Sequence, residues 1–79
     1  MTVVFIHLKV TPSKISSALN EIKKIDYIKE AYVVTGDYDI IAKLETPDAS
    51  LASKIIIEKI LKIDGVERSS SSIVLPQTD

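Results

Sequence analysis

Apolar and polar residues alternate from Thr2 to Val10: Val4, Ile6, Leu8 and Val10 share one face of a strand. Val3, Phe5, His7 and Lys9 share the other, which is itself half apolar. Thr11-Pro12-Ser13 then punctuates the chain. Thr11 or Ser13 is suited to accept backbone N–H groups as an N-cap, and Pro12 suits a first helical turn. Ile15, Ala18, Leu19, Ile22 and Ile25 recur at helical spacing, which predicts an amphipathic helix from Ser13 to about Ile25. Tyr27 to Thr35 is rich in β-branched and aromatic residues and reads as a second strand. Gly36-Asp37 separates it from a third alternating run, Tyr38 to Glu45, and predicts a two-residue hairpin turn. That register sets Thr35 against Tyr38, Val33 against Ile40 and Ala31 against Ala42 on the face expected beneath helices. Tyr32, Val34, Asp39 and Ile41 fall on the opposite, mixed face. Thr46-Pro47-Asp48 opens a second helix, with Asp48 as cap, running to about Ile63. Its expected buried stripe is Ala52, Ile56, Ile60 and Ile63, with Ile57 and Leu61 off it. Asp64-Gly65 ends that helix, Gly65 suiting the left-handed position, and Val66 to Leu75 is the last strand, closed by Pro76.

The order is β-α-β-β-α-β over a single domain, residues 1–79. Right-handed crossovers convert it into a ferredoxin-like α+β fold, a four-stranded antiparallel sheet with two helices on one face. The sheet's other face then carries Val3, Phe5, Tyr32, Val34 and Ile41. An apolar surface of that kind predicts a sheet-packed homodimer, in the manner of a dimeric α/β barrel. Ser69 to Ser72, flanked by strand-like residues, is expected to be a polar strand segment rather than a linker.

Composition narrows the functions. Ten Lys+Arg against eleven Asp+Glu give a net charge of −1, which supplies no electrostatic case for direct nucleic-acid or membrane-surface binding. The longest apolar runs are three or four residues, so no membrane span or secretory segment fits, and a cytoplasmic protein is expected. Cysteine is absent, which removes disulfides, zinc–thiolate sites and thiol catalysis. Two glycines leave no glycine-rich phosphate loop, so no cofactor is expected. Thirteen Ile and nine Lys beside one Asn and one Gln fit either a thermophilic source or an AT-rich genome. A chain this small buries a modest fraction of its surface, so oligomerisation is the expected source of additional burial.

Candidate chemistry is sparse. His7, the single histidine, is either a general base or haem ligand or a packing residue. Asp37 and Asp39 bracket Tyr38 and either hold an ammonium group or are simply solvated. If Asp39 instead has a structural partner, Lys43 or a neighbouring chain is the expected one. The serines offer hydroxyls on both faces of the last strand, without a nucleophile motif.

The segment Val33-Val34-Thr35-Gly36-Asp37-Tyr38-Asp39-Ile40-Ile41-Ala42-Lys43 resembles the signature hairpin of the RAM domain, the effector-binding module of Lrp/AsnC transcriptional regulators. Pro47-Asp48, Gly65-Val66 and Val74-Leu75 extend the resemblance over essentially the whole chain. Lrp/AsnC regulators carry an N-terminal helix-turn-helix; here the first strand begins at Thr2, so a stand-alone RAM module is expected. Many relatives have Thr-Arg-Thr where this chain has Ser69-Ser70-Ser71. The resemblance implies a dimer that assembles into a ring of dimers. It also implies an amino-acid effector bound between subunits at Val33, Gly36, Asp37, Tyr38 and Asp39, with Ser72, Ile73 and Val74 of the last strand. Three functions compete. One is a non-catalytic, amino-acid-binding regulatory module acting on full-length Lrp/AsnC regulators or on metabolic enzymes. Another is a purely structural oligomerisation module. The third is a small dimeric α/β-barrel enzyme using His7.

Overall fold

The computed structural model describes residues 1–76. Its elements are β1 (Thr2–Val10), α1 (Ile15–Lys23), β2 (Ile28–Val33), β3 (Ile40–Thr46), α2 (Ala49–Ile55) and β4 (Val66–Ile73). A 3₁₀ turn, Pro12–Lys14, leads into α1, and a π turn, Ile56–Ile60, extends α2. The strands form one antiparallel sheet in the order β2-β3-β1-β4, the expected ferredoxin-like arrangement. α1 packs on β2 and β3, and α2 on β3 and β1.

Alternation along β1 and β3 builds the core. Val4, Ile6, Leu8 and Val10 are buried against Ile40, Ala42 and Leu44, with Ala18 and Ile22 of α1 above them. Each large aliphatic side chain removed from water contributes about 1.5–3 kcal/mol, so this layer fixes the register of both central strands. Asp48 caps α2 as expected, its Oδ1 accepting the Leu51 amide at 2.8 Å. Gly65 adopts φ +97°, the left-handed conformation anticipated for it. A Cβ there would collide with Cβ of Lys14, so close packing requires glycine as well. The serine segment is a strand, as expected.

Four local expectations fail, each for a tertiary reason. Neither Thr11 nor Ser13 caps α1: Lys14 holds the cap position without a side-chain bond, and the Thr11 hydroxyl donates to Glu67 Oε2 at 2.8 Å. The buried stripe of α2 includes Ile55, while Ile56 is only partly buried. Leu61 N donates to Ile56 O at 2.9 Å, and this wider turn lets Ile55 and Ile60, five residues apart, both face the core. β2 stops at Val33 and β3 begins at Ile40, so the connection is longer than two residues. Val33 faces Ile40 and Ala31 faces Ala42 as expected, but Thr35 and Tyr38 lie in the loop and are not paired. Val33 is also half exposed, because it sits at the sheet's edge beyond the helices.

The open sheet face is amphipathic rather than apolar. Phe5 is 37% exposed and Tyr32 57%, while Val3, Val34 and Ile41 are half-buried. Lys43 stands opposite Phe5 and bridges Glu45 at 3.4 Å and Glu30 at 3.8 Å. Tyr32 donates its hydroxyl to Glu30 at 2.9 Å.

Candidate functional site

The β2–β3 loop ends in three bonds centred on Asp39. Its amide donates to Leu8 O at 2.9 Å, and its carbonyl accepts the Val34 amide at 2.9 Å. Its carboxylate oxygen Oδ2 accepts the Val10 amide at 2.9 Å and pairs with Lys9 Nζ at 3.6 Å. Val10 is where the register between β1 and β4 shifts by a residue, so the carboxylate receives an amide at an irregularity in the ladder. Asp39 thereby fastens the ends of β1, β2 and β3 together. Its structural partners are Lys9 and Val10, not Lys43. Oδ1 of the same carboxylate has no hydrogen-bond partner among the described residues.

Tyr38 does not lie beneath the helices. Its ring folds over the open face, 5.7 Å from the His7 ring, with the Arg68 guanidinium carbon 5.6 Å from its centroid. Register explains the meeting: His7 is opposite Ser70, and Lys9 is opposite Arg68, so Arg68 and His7 share the open face. A cation above an aromatic face contributes about 0.5–1 kcal/mol at an exposed site. Arg68 has no carboxylate partner among the described residues, leaving its N–H donors available for an anion. Sequence reasoning did not single out Arg68; the pairing of Lys9 with Arg68 across β1 and β4 is the signal that finds it. Gly36, at φ +109°, turns the loop, and Asp37 is exposed at its tip. No group of three or more His, Asp or Glu residues that could hold a metal exists among the described residues.

The eight residues expected to contact ligand fall into two groups. Val33, Gly36, Asp37, Tyr38 and Asp39 gather at the loop end of the sheet. Ser72 is opposite Phe5 and Ile73 opposite Val4, while Ile40 is opposite Leu8. Ile73 is therefore four residues from the loop along β1, about 13 Å at the rise of a strand. Val74, whose amide donates to Val3 O at 2.9 Å, lies farther still. One chain does not bring the two groups together. Ile73 and Val74 are both substantially exposed at the edge strand.

These features define a class: a small α+β domain of the ferredoxin-like kind with one sheet face uncovered. A family model, the Lrp/AsnC ligand binding domain, matches residues 3–79, and the chain belongs to that family, a regulatory ligand-binding domain. Curated relatives include an uncharacterised HTH-type transcriptional regulator of Pyrococcus horikoshii, 31% identical over 72 residues, covering 91% of this chain and 46% of the relative. An HTH-type transcriptional regulator of Methanocaldococcus jannaschii is 33% identical over 73 residues, 92% of this chain and 49% of its own. The chain thus spans about half the length of the curated relatives it matches. Among solved structures, a hypothetical protein from Pyrococcus horikoshii is 31% identical with a TM-score of 0.90, covering 98% of this chain and 93% of that one. Escherichia coli AsnC is 28% identical with a TM-score of 0.89, covering 96% of this chain and 52% of its own. No helix among the described residues is long and apolar enough to cross a membrane.

Proposed function

We propose that the chain is a non-catalytic regulatory module that binds an amino-acid effector at a site shared between subunits of a homo-oligomer. The observation that carries the reading is the separation of the candidate residues. Gly36, Asp37, Tyr38 and Asp39 lie at one end of the sheet and Ser72–Val74 at the other, so a site using both is composed from two copies. At the loop end, the unbonded Oδ1 of Asp39 suits an α-ammonium and the free N–H donors of Arg68 suit an α-carboxylate. A Neisseria meningitidis transcriptional regulator of the same fold, TM-score 0.80, is described as an L-Met complex, which supports this ligand class. The assembly is a dimer through the open face, and dimers associate into a ring. A partner on this reading is a full-length Lrp/AsnC-type regulator or a metabolic enzyme.

Calorimetry of the whole chain against each of the twenty amino acids tests the proposal. Binding of at least one, weakened by Asp39→Asn, is expected. The second reading, an oligomerisation module without ligand, is favoured by the engagement of Asp39 with Val10 and Lys9 inside the chain. It predicts no heat from any amino acid and an assembly that persists. His7 packs near Tyr38 rather than beside a carboxylate, so His7→Ala is expected to leave ligand binding intact.

A further inference from the structure

A hollow of about 570 Å³ lies away from the loop, between α1 and α2 on the helical face. This is within the range of small-molecule sites. Its floor is aliphatic: Ile25, Leu51 and Ile63 are half-buried and Ile55 is buried. Two backbone irregularities border it. Tyr27 is the one non-glycine residue at positive φ among the described residues, at +76°. Its conformation is held by the Glu45 amide, which donates to Tyr27 O at 3.0 Å. The π turn Ile56–Ile60 supplies Glu58 and Lys59 to the same rim. Strained non-glycine backbone and π turns both concentrate at ligand sites.

The rim charges bear on which ligand would fit. Glu21 and Lys24 neutralise each other at 3.6 Å. Asp26, Glu58, Lys54 and Lys59 make no ion pair among the described residues, so the rim offers two free anions and two free cations. A purely anionic or purely cationic ligand would meet as much repulsion as attraction. A molecule carrying one charge of each sign and an aliphatic body satisfies both the rim and the floor.

We propose that this hollow is a second binding site, for a small zwitterion with an aliphatic side chain. The side chain lies on Leu51 and Ile25, the carboxylate faces Lys54 and Lys59, and the ammonium faces Asp26 and Glu58. The site is complete within one chain and shares no residue with the loop site, so it stands or falls separately from the inter-subunit reading.

The test uses the whole chain and three probes: L-isoleucine, its methyl ester and 3-methylpentanoate, the last two each retaining one charge. Isoleucine binding is followed by calorimetry and by backbone amide shifts in NMR, in wild type, Asp39→Asn and the surface double variant Lys54→Gln/Lys59→Gln. Binding at millimolar concentration with shifts at Tyr27, Leu51 and Lys54 is expected. Affinity should fall about tenfold in the double variant and for either one-charge probe, as when a charge-assisted hydrogen bond is lost. Shifts at Tyr27, Leu51 and Lys54 report this hollow, and shifts at Val34–Asp39 report the loop site, so the two are read separately. Isoleucine that fails to bind wild type overturns the proposal. So does binding that the double variant retains, or amide shifts confined to Val34–Asp39. Loss of the Tyr27, Leu51 and Lys54 shifts in Asp39→Asn would likewise dismiss this site.

Discussion

Removing the Asp39 carboxylate should destabilise the fold at one identifiable bond. Asp39→Ala deletes the acceptor of the Val10 amide at 2.9 Å and the partner of Lys9 at 3.6 Å. A hydrogen bond to a charged group contributes about 1.5–3 kcal/mol. The carboxylate is 21% exposed, so the lower end, about 1.5 kcal/mol, applies. The Lys9 side chain is 40% exposed, and such a pair adds no more than about 0.5 kcal/mol. The expected loss is therefore about 2 kcal/mol, or roughly 8–16 °C in melting temperature for a domain of this size. Asp39→Asn keeps a neutral acceptor and should lose only about 0.5–1 kcal/mol. Urea and thermal unfolding by circular dichroism, at fixed protein concentration, measure both. Hydrogen exchange at the Val10 amide locates the effect, which should be accelerated far more in the Ala variant than in the Asn variant. An Ala variant within about 0.5 kcal/mol of wild type, with Val10 exchange unaltered, would refute the role assigned to the carboxylate. The pair of variants also separates stability from ligand affinity, since Asn preserves most of the former while discharging the group proposed to meet an ammonium.

Gly65→Ala should cost at least about 2 kcal/mol, from the left-handed φ and the collision with Lys14 together, whereas Gly36→Ala, whose new Cβ meets nothing within 4 Å, pays only for its φ; urea unfolding compares them. Asp48→Ala removes the α2 cap bond to Leu51 and should lower stability by about 1 kcal/mol, read in the same assay. Light scattering should find a dimer or larger species at micromolar concentration, and Phe5→Asp with Ile41→Asp should shift it towards monomer; a monomeric wild type would remove the sheet-face interface. The hydrogen bond from Tyr32 to Glu30, then the Glu30 charge, then burial raise the Tyr32 phenol above its ordinary value of about 10. Because the folded value is raised, the associated stabilisation is present below about pH 10 and lost as pH rises through the folded value. Ultraviolet titration with Tyr27 and Tyr38 replaced by Phe reads this directly, and Glu30→Gln should return Tyr32 to the ordinary range.

The strands were legible in the sequence because strand periodicity is a local property. Val4, Ile6, Leu8 and Val10 needed no partner to reveal one apolar face, and Asp48 and Gly65 announce helix ends through chemistry confined to a few residues. Element order plus the handedness of crossovers then left one arrangement for the sheet. Charge and the absence of cysteine removed classes of chemistry without reference to any fold. The loop's candidate residues were named from the resemblance of the Val33–Lys43 segment, and all five, Val33, Gly36, Asp37, Tyr38 and Asp39, lie at one end of the sheet.

What lay beyond the sequence was whatever depends on residues distant along the chain. Tyr38 turns onto the open face, where His7 and Arg68, thirty or so positions away in either direction, stand on the neighbouring strands β1 and β4. Asp39 exchanges a solvated carboxylate for the Val10 amide, 29 residues earlier, because a register shift in another strand pair presents that amide. Ile55 replaces Ile56 in the core because a π turn, chosen by packing, overrides the 3.6-residue period. The division of the candidate site is of the same kind. Antiparallel register sets Ile73 against Val4 and Ile40 against Leu8, and so places at opposite ends of one sheet two groups that no sequence spacing could separate.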